Sequence, residues 1–416
     1  MTERDPVTLR SPVDDAERRA WYEPLATAFG EDISAPEIDA ERELLELDRL
    51  INAFEGERRI GSSGAFSMQL TVPGGAAVKA SGITGVGVVP DARRRGVLRQ
   101  MMDWLLADAA ARGEPLAILW ASEAAIYQKF GFGMATQGSS FEADKTRIVF
   151  REPLPPRDDV RIRMVDVDEG TRLLPAIYEQ VRAVVPGSIG RPEAFWRNLL
   201  LSDAEWMRGG NGPKYRLVLE VDDEPRGFAV YRFKDDYGPT GPASTVHVME
   251  VQALDPESEQ RLWEWLCAMD LTTTVRAIRQ PVPNPLQLRL REPRRLGLTV
   301  GDGLWLRFVD VRAALEARTY AGEGSVVLEL ADPMLAANAG TWAVTSDASG
   351  AATVTRTTKP ADLSLDVAAL AAVYLGAWRF RDFAAVNRLR ECRQGAIFDA
   401  DRLFLTERAP YANTMF

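Results

Sequence analysis

From Ser81 to Ala121 the sequence alternates between two hydrophobic periods, and that alternation restricts the fold more than any other stretch. Ser81–Val89 reads as a Gly-rich strand and Leu116–Ala121 as a buried strand, with a long helix between them. In the helix Val97, Leu98, Met101, Met102, Leu105, Leu106 and Ala109 recur at helical spacing, while Arg99, Gln100, Asp103 and Asp108 take the opposite face. Gly113 supplies the glycine that closes such a helix, and a short helix begins near Ser122. Strand, helix, strand and helix in succession predict a layered α/β architecture for this part of the chain.

The chain has 416 residues, 46% of them apolar and 26% charged, enough for about three packed domains of ~150 residues. Arg151–Asp159 and Arg279–Pro293 read as linkers, because prolines recur in them too often for a helix or a central strand. Between them, strands at Tyr215–Val221, Gly227–Phe233 and Thr245–Ala253 precede a helix from Asp255 to Ala268, echoing the order of the first part. The last part alternates over Val326–Leu330, Trp342–Ser346 and Thr353–Arg356 and turns helical after Asp366, with Gly376 behind it, which predicts an α+β domain.

Composition removes several classes of function. Lys and Arg number 50 against 60 Asp and Glu, and the resulting formal charge of -10 argues against a nucleic-acid partner. No apolar run approaches the ~18 residues of a membrane span; the best candidate, Val367–Trp378, follows a helix-start residue. The N-terminal stretch lacks the apolar core of a secretion signal, so a cytoplasmic address is expected. Cys267 and Cys392 lie in unrelated segments without metal-ligand spacing and read as packed thiols. His247 is the single histidine and falls in an alternating strand, as a buried or edge residue. A histidine triad or a zinc site would have to use that one position, so no metal is expected and any catalysis falls to other acids and bases.

Chemistry concentrates around Arg93-Arg94-Arg95-Gly96-Val97-Leu98, between a strand and a helix start. Backbone N–H groups there are unpaired at the positive end of the helix dipole, Gly96 permits close approach, and the arginines suit a pyrophosphate. The bland alternative is a solvated basic helix start. Further on, Tyr127-Gln128-Lys129-Phe130-Gly131-Phe132 follows the buried strand and a short helix. The pairing of R-x-x-G before the helix with Y-x-K-x-G-F after the next strand resembles the GCN5-related N-acetyltransferases (GNAT). The resemblance implies that the loop and helix start, Arg94, Arg95, Gly96, Val97, Leu98 and Arg99, cradle the pyrophosphate of acetyl-CoA. It also implies that Val86, Gly87 and Val88 offer backbone groups to pantetheine and the thioester, with Ser122 and Glu123 nearby. The family usually has Gly or Ala where this chain has Leu98, a minor departure because backbone N–H groups do the binding. Tyr127 suits protonation of the leaving thiolate, since a phenol of pKa ~10 carries its proton at neutral pH; its alternative is a core aromatic. Ser122 is open between an N-cap and a contact to CoA.

Three segments narrow the resemblance: RRRGVLRQMM, SEAAIYQKFGFG, and a C-terminal half reading LWLRFVDVRAALEAR and then PADLSLDVAALAAVYLGAWRF. Together they look like the Enhanced Intracellular Survival (Eis) acetyltransferases over essentially the whole chain. That resemblance implies α/β and α+β architecture in three domains. These are an active N-terminal GNAT domain (1–155), a degenerate central GNAT domain (156–298) and a sterol carrier protein-like domain (299–416). Asp255-Pro256-Glu257-Ser258-Glu259 agrees about the middle one, because its carboxylates repel a pyrophosphate while still making a good helix start. The family's C-terminal carboxylate acts as general base, which here is that of Phe416, and its members form hexamers and acetylate amines of aminoglycosides and related polyamines. A small polycationic acceptor fits the acidic balance, and Glu31, Asp32 and Glu37 are candidate acids near the entrance. Two other readings remain: a protein lysine or peptide as acceptor, or a lipid-binding protein for which acetyl-CoA is a structural ligand. Val367–Phe380 would then line an apolar cavity, or else be filled core.

Overall fold

The structure is a computed structural model that describes residues 5–239 and 241–416. Its first elements are fixed by local signals. Strand β1 (Val7–Arg10) leads to helix α1 (Asp15–Trp21), where the Asp14 side chain accepts from the Glu17 N–H at 2.8 Å. Helix α2 (Glu23–Phe29) stops at Gly30, whose φ of 70° is the left-handed turn that a C-terminal glycine supplies. Helix α3 (Ala35–Glu41) opens with the Glu37 carboxylate accepting from the Ser34 N–H at 3.4 Å. Then come β2 (Leu50–Glu55), β3 (Arg58–Thr71), β4 (Ala77–Val88), α4 (Val97–Ala111), β5 (Leu116–Trp120), α5 (Ala124–Tyr127) and β6 (Gly133–Met134). Val97, Met101, Met102, Leu105, Leu106 and Ala109 of α4 are buried, the face that the periodicity predicts.

Strands β1 to β5 pair in sequence order, antiparallel except for the parallel pair β4–β5. The next strand in the sheet comes from far along the chain. Leu304–Phe308 lies between β5 and β6, antiparallel to β5 with Leu304 opposite Trp120 and Phe308 opposite Leu116. A second seven-stranded sheet runs, edge to edge, through Thr299–Asp302, Gln137–Asp144, Thr272–Gln280, Ser244–Ala253, Glu224–Lys234, Lys214–Val221 and Val160–Met164. A five-stranded sheet follows, with Gly324–Ala331 at its centre. Contacts divide the chain into two compact units. One holds the chain up to Ala135, Leu304–Glu407 and Met415–Phe416; the other holds Thr136–Gly303 and Arg408–Thr414.

In the first unit every residue of helix Val367–Tyr374 is buried, and Tyr374 meets Phe308 edge-on with ring centres 5.1 Å apart. Gly133 of β6 lets this helix approach closely, since a Cβ there would stand 2.0 Å from the Ala368 carbonyl oxygen. That segment is packed core. Arg307, on the inserted strand, pairs with Asp332 at 2.6 Å with both side chains fully buried.

In the second unit the C-terminal tail is fastened before its last two residues. The Tyr411 N–H donates to Pro186 O at 2.8 Å and its hydroxyl to Arg279 O at 2.8 Å. Arg191 pairs with Glu250 at 3.1 Å and donates through Nε to Thr414 Oγ1 at 2.9 Å. Tyr178 lies beneath the Arg191 guanidinium, 3.9 Å from its ring centre, with its hydroxyl 3.2 Å from the same Thr414 oxygen.

Two expectations are corrected. Arg279–Pro293 is no linker: Arg279 and Gln280 end a strand, Pro285–Arg289 is a helix capped by the Asn284 side chain, and Leu286 and Leu290 are buried. Its prolines sit at turns and at the helix start, where no N–H is needed. Cys392 is exposed at the end of strand Leu389–Glu391, not packed. Cys267 is buried as expected, and burial pushes its thiol up to about 12. His247 is half-buried in strand Ser244–Ala253, where desolvation and Arg276, Arg279 and Arg232 lower its pKa and keep it neutral. Among the described residues no helix is long and apolar enough to cross a membrane.

Candidate active site

The site begins with a defect in the sheet. β4 pairs with β5 only over Ala80–Gly82, yet stays paired with β3 as far as Val88, through a register shift between Ser62 and Gly64. Past Gly82 the two parallel strands separate, and among the described residues the edge of β4 that faced β5 has no strand partner up to Val88. The shift is a bulge, which kinks and over-twists its strand, and Gly85 is its pivot. Its φ is +61°, and a Cβ there would stand 2.1 Å from the Trp21 ring. Trp21 is held rigidly, its indole N–H shared between Ile51 O at 3.0 Å and Ser63 O at 3.1 Å. Gly85→Ala therefore combines left-handed strain with a ring clash and is expected to cost about 2–4 kcal/mol. A lowered melting temperature checks this; an unchanged one would mean that the bulge does not depend on glycine.

The loop after β4 faces the same opening. Arg93 ties its ends, donating from Nε to Val88 O at 3.2 Å and through its second amino group to Ala28 O at 3.0 Å. Arg95 turns away and pairs with Glu55 of β2. Among the described residues Arg94 alone of the three makes no hydrogen bond or ion pair; it is exposed, with a positive φ of 61°. Gly96, φ 83°, is the N-cap of α4 and has no side chain to offer the helix, and no acidic residue occupies the first turn. Free N–H groups, a positive helix end and an unpaired guanidinium converge there on an anion site. The corresponding helix of the second unit, Pro256–Ala268, starts differently. Asp255 accepts from the Ser258 N–H at 2.8 Å, and Glu257 and Glu259 fill the first turn.

Between the free edge of β4 and the start of α4 lies a cleft of about 920 Å³. Val86, Gly87, Val88, Arg94, Gly96, Val97, Leu98, Arg99, Ser122, Glu123 and Tyr127 all line it. Of the expected cofactor-contacting residues only Arg95 is absent from that lining. Tyr127 ends α5 with 5% of its surface exposed, packed among Met102, Leu105, Phe130, Phe132 and Trp305. Burial raises its pKa above the ordinary phenol value, opposed by a hydrogen bond with Ser122. The phenol therefore stays protonated through the neutral and mildly basic range. Ser122 is not the N-cap of α5; Glu123 takes that place, and Ser122 faces the cleft.

Phe416 belongs to the same unit as this cleft. Its ring meets Phe66 edge-on at 6.0 Å within an apolar group of Trp21, Tyr22, Ile38, Leu45, Leu50 and Phe66. Leu25 of that group reaches β4, lying 3.3 Å from where a Cβ of Gly87 would be. Of the candidate acids, Glu31 and Asp32 are exposed and Glu37 serves the start of α3. Arg93, Lys129 and Phe130 stood in the two motifs without a role of their own, and Trp21, Gly85 and the cleft residues Ala28, Phe29, Ala92 and Ile126 were not singled out in the sequence. Three glycines in one strand, Gly82, Gly85 and Gly87, were the signal for a bulge.

Comparison with known proteins follows this geometry. Models of the acetyltransferase (GNAT) domain match residues 10–135 and again 187–309, and a sterol carrier protein domain matches 311–413. An N-acetyltransferase of Streptomyces avermitilis is 40% identical over 397 residues, 94% of this chain and 95% of that one. The N-acetyltransferase Eis of Mycobacterium tuberculosis is 33% identical over 395 residues, 92% of this chain and 93% of its own. The crystal structure of Eis1 from Mycobacterium abscessus superposes with a TM-score of 0.84 at 34% identity, covering 98% of this chain and 100% of that one.

Proposed function

Since the chain belongs to the Eis-type GNAT N-acetyltransferases, we propose that it transfers the acetyl group of acetyl-CoA to amines of small polycations such as linear polyamines and aminoglycosides. The observation that carries this reading is the convergence of one cleft on the free edge of β4, the uncapped start of α4 and Tyr127. Pyrophosphate meets Arg94 and the N–H groups from Gly96 to Arg99; pantetheine runs along Val86–Val88. The central domain takes no part in binding CoA, because Asp255 already occupies its helix start.

Direct attack accounts for the chemistry. The neutral amine adds to the thioester carbonyl, and a backbone N–H near Val88 stabilises the oxyanion. The carbon–sulfur bond then breaks as the Tyr127 phenol gives its proton to sulfur. The amine's surplus proton goes to the carboxylate of Phe416, directly or through water, and returns the phenol to its starting state by way of solvent. An α-carboxylate of pKa ~3.5 is a weak base, so relay of the proton onward through water completes this step. The protein works as a hexamer in the cytoplasm on this reading and needs no metal.

The preference for small amines over protein lysines rests on the formal charge of -10, which draws free polycations toward the protein. Incubation with acetyl-CoA and a linear triamine tests the reaction. One CoA released per N-acetyl product and an intact-protein mass that never rises are expected; a protein that accumulates an acetyl group would overturn direct attack.

A further inference from the structure

The cleft beside β4 carries more positive charge than a pyrophosphate uses. Among the described residues four basic side chains line it, Arg93, Arg94, Arg99 and Lys129, against one carboxylate, Glu123. Three of the four have a task. Arg93 donates to the Val88 and Ala28 carbonyls, Arg94 is assigned with the start of α4 to pyrophosphate, and Arg99 pairs along that helix with Asp103 at 3.5 Å. Lys129 is exposed, and among the described residues it makes no hydrogen bond or ion pair. Its backbone is nonetheless held in place. Tyr127 and Phe130 on either side are buried, the Gly131 N–H donates to Gln128 O at 3.0 Å, and the Phe132 N–H donates to Tyr127 O at 3.2 Å. The ammonium therefore starts from a fixed point on the cleft wall.

Apolar surface accompanies this cation. Leu98 from the first turn of α4 and Ile126 from α5 line the same cleft, and both pack on the apolar group that contains Tyr127 and Phe130. An apolar floor with an unpaired ammonium on the same wall suits a flat ring joined to a phosphate monoester. Acetyl-CoA carries that combination at the end away from its thioester, as adenine and the ribose 3′-phosphate. A phosphate monoester bears about -1.5 to -2 charges at neutral pH and three acceptor oxygens, which match a compact ammonium with its three donors. We propose that Lys129 binds the 3′-phosphate of acetyl-CoA, with adenine lying over Leu98 and Ile126. The inference rests on the cofactor reading given above and deepens it. It makes the enzyme selective for CoA thioesters over those of 3′-dephospho-CoA, a discrimination that the pyrophosphate contacts at Arg94 and the start of α4 do not supply.

The test is Lys129→Met, which keeps an unbranched side chain of similar length and removes the charge. Calorimetric titration of the full chain with CoA and with 3′-dephospho-CoA reads the result, in low-salt buffer because the site is open to solvent. The wild type is expected to bind CoA about tenfold or more tightly than dephospho-CoA, the worth of one charge-assisted contact. In the variant the affinity for CoA should fall by about the same factor, while dephospho-CoA binds as it does to the wild type, so that the preference disappears. Unaltered binding of dephospho-CoA also shows that the variant is folded. A wild type without preference would overturn the subsite, as would a preference that survives in the variant. Equal weakening of both ligands would overturn it too, by placing Lys129 at the pyrophosphate or in the frame of the cleft. Wild-type protein that binds neither ligand would overturn the cofactor reading itself, and the subsite with it.

Discussion

Tyr127→Phe is expected to lower kcat about 100-fold or more while leaving acetyl-CoA affinity almost unchanged. The variant keeps the ring that fills space among Phe130, Phe132 and Trp305 and removes only the hydroxyl. Phosphate binding is assigned to the start of α4 and to Arg94, which this substitution does not touch. In the proposed mechanism the variant loses proton supply to the leaving sulfur, so the thiolate would depart as an anion. The pH dependence has a definite sign. Burial raises the phenol's pKa, so Tyr127 keeps its proton as pH rises through neutrality and its ionisation cannot cause a fall in rate there. Below the pKa of the acceptor the rate should climb with pH as more amine becomes neutral. Turnover and equilibrium binding of acetyl-CoA, measured together, check this. Unchanged turnover in the variant, or weaker binding alone, would assign Tyr127 a packing role.

A short extension after Phe416 should act on the other proton. Adding a few flexible residues leaves the phenyl ring free to dock against Phe66 but moves the terminal carboxylate away, replacing it with a neutral peptide group. A fall in kcat of about 100-fold is expected, again with acetyl-CoA binding intact, because the extension does not alter the helix start to which pyrophosphate binding is assigned. Deleting Phe416 is the harsher companion, since it also removes the aromatic contact. Phe416 packs against Phe66 within the apolar group of the first unit, whereas most chain ends fray. Wild-type turnover in the extended protein would remove the terminus from the mechanism.

Local features of the site were legible because local physics fixes them. The periodicity of α4 follows from its buried face, and the loop before it is recognisable because Gly96 and the arginines are specified by type and spacing. What escaped was set by distant parts of the chain. Nothing in Leu304–Phe308 states that it will lie between β5 and β6, since an apolar run carries no label for its partner. Arg95 reads as a phosphate ligand in a run of three arginines, but Glu55 on a neighbouring strand claims it. Gly85 carries its meaning only once Trp21, far away in sequence, is seen against it. Asp255 was readable in advance, because a carboxylate before a helix caps it whatever the tertiary context.

The central claim is acetyl transfer to small molecules carrying several amines, and the rate of CoA release from acetyl-CoA across an acceptor panel tests it most directly. The panel runs from aminoglycosides and linear polyamines to monoamines and lysine peptides. Saturable release with the multi-amine compounds, at a kcat/KM about tenfold or more above that of monoamines and peptides, is the predicted result. Preference for lysine peptides, or silence across the panel by a protein that still binds acetyl-CoA, would contradict it.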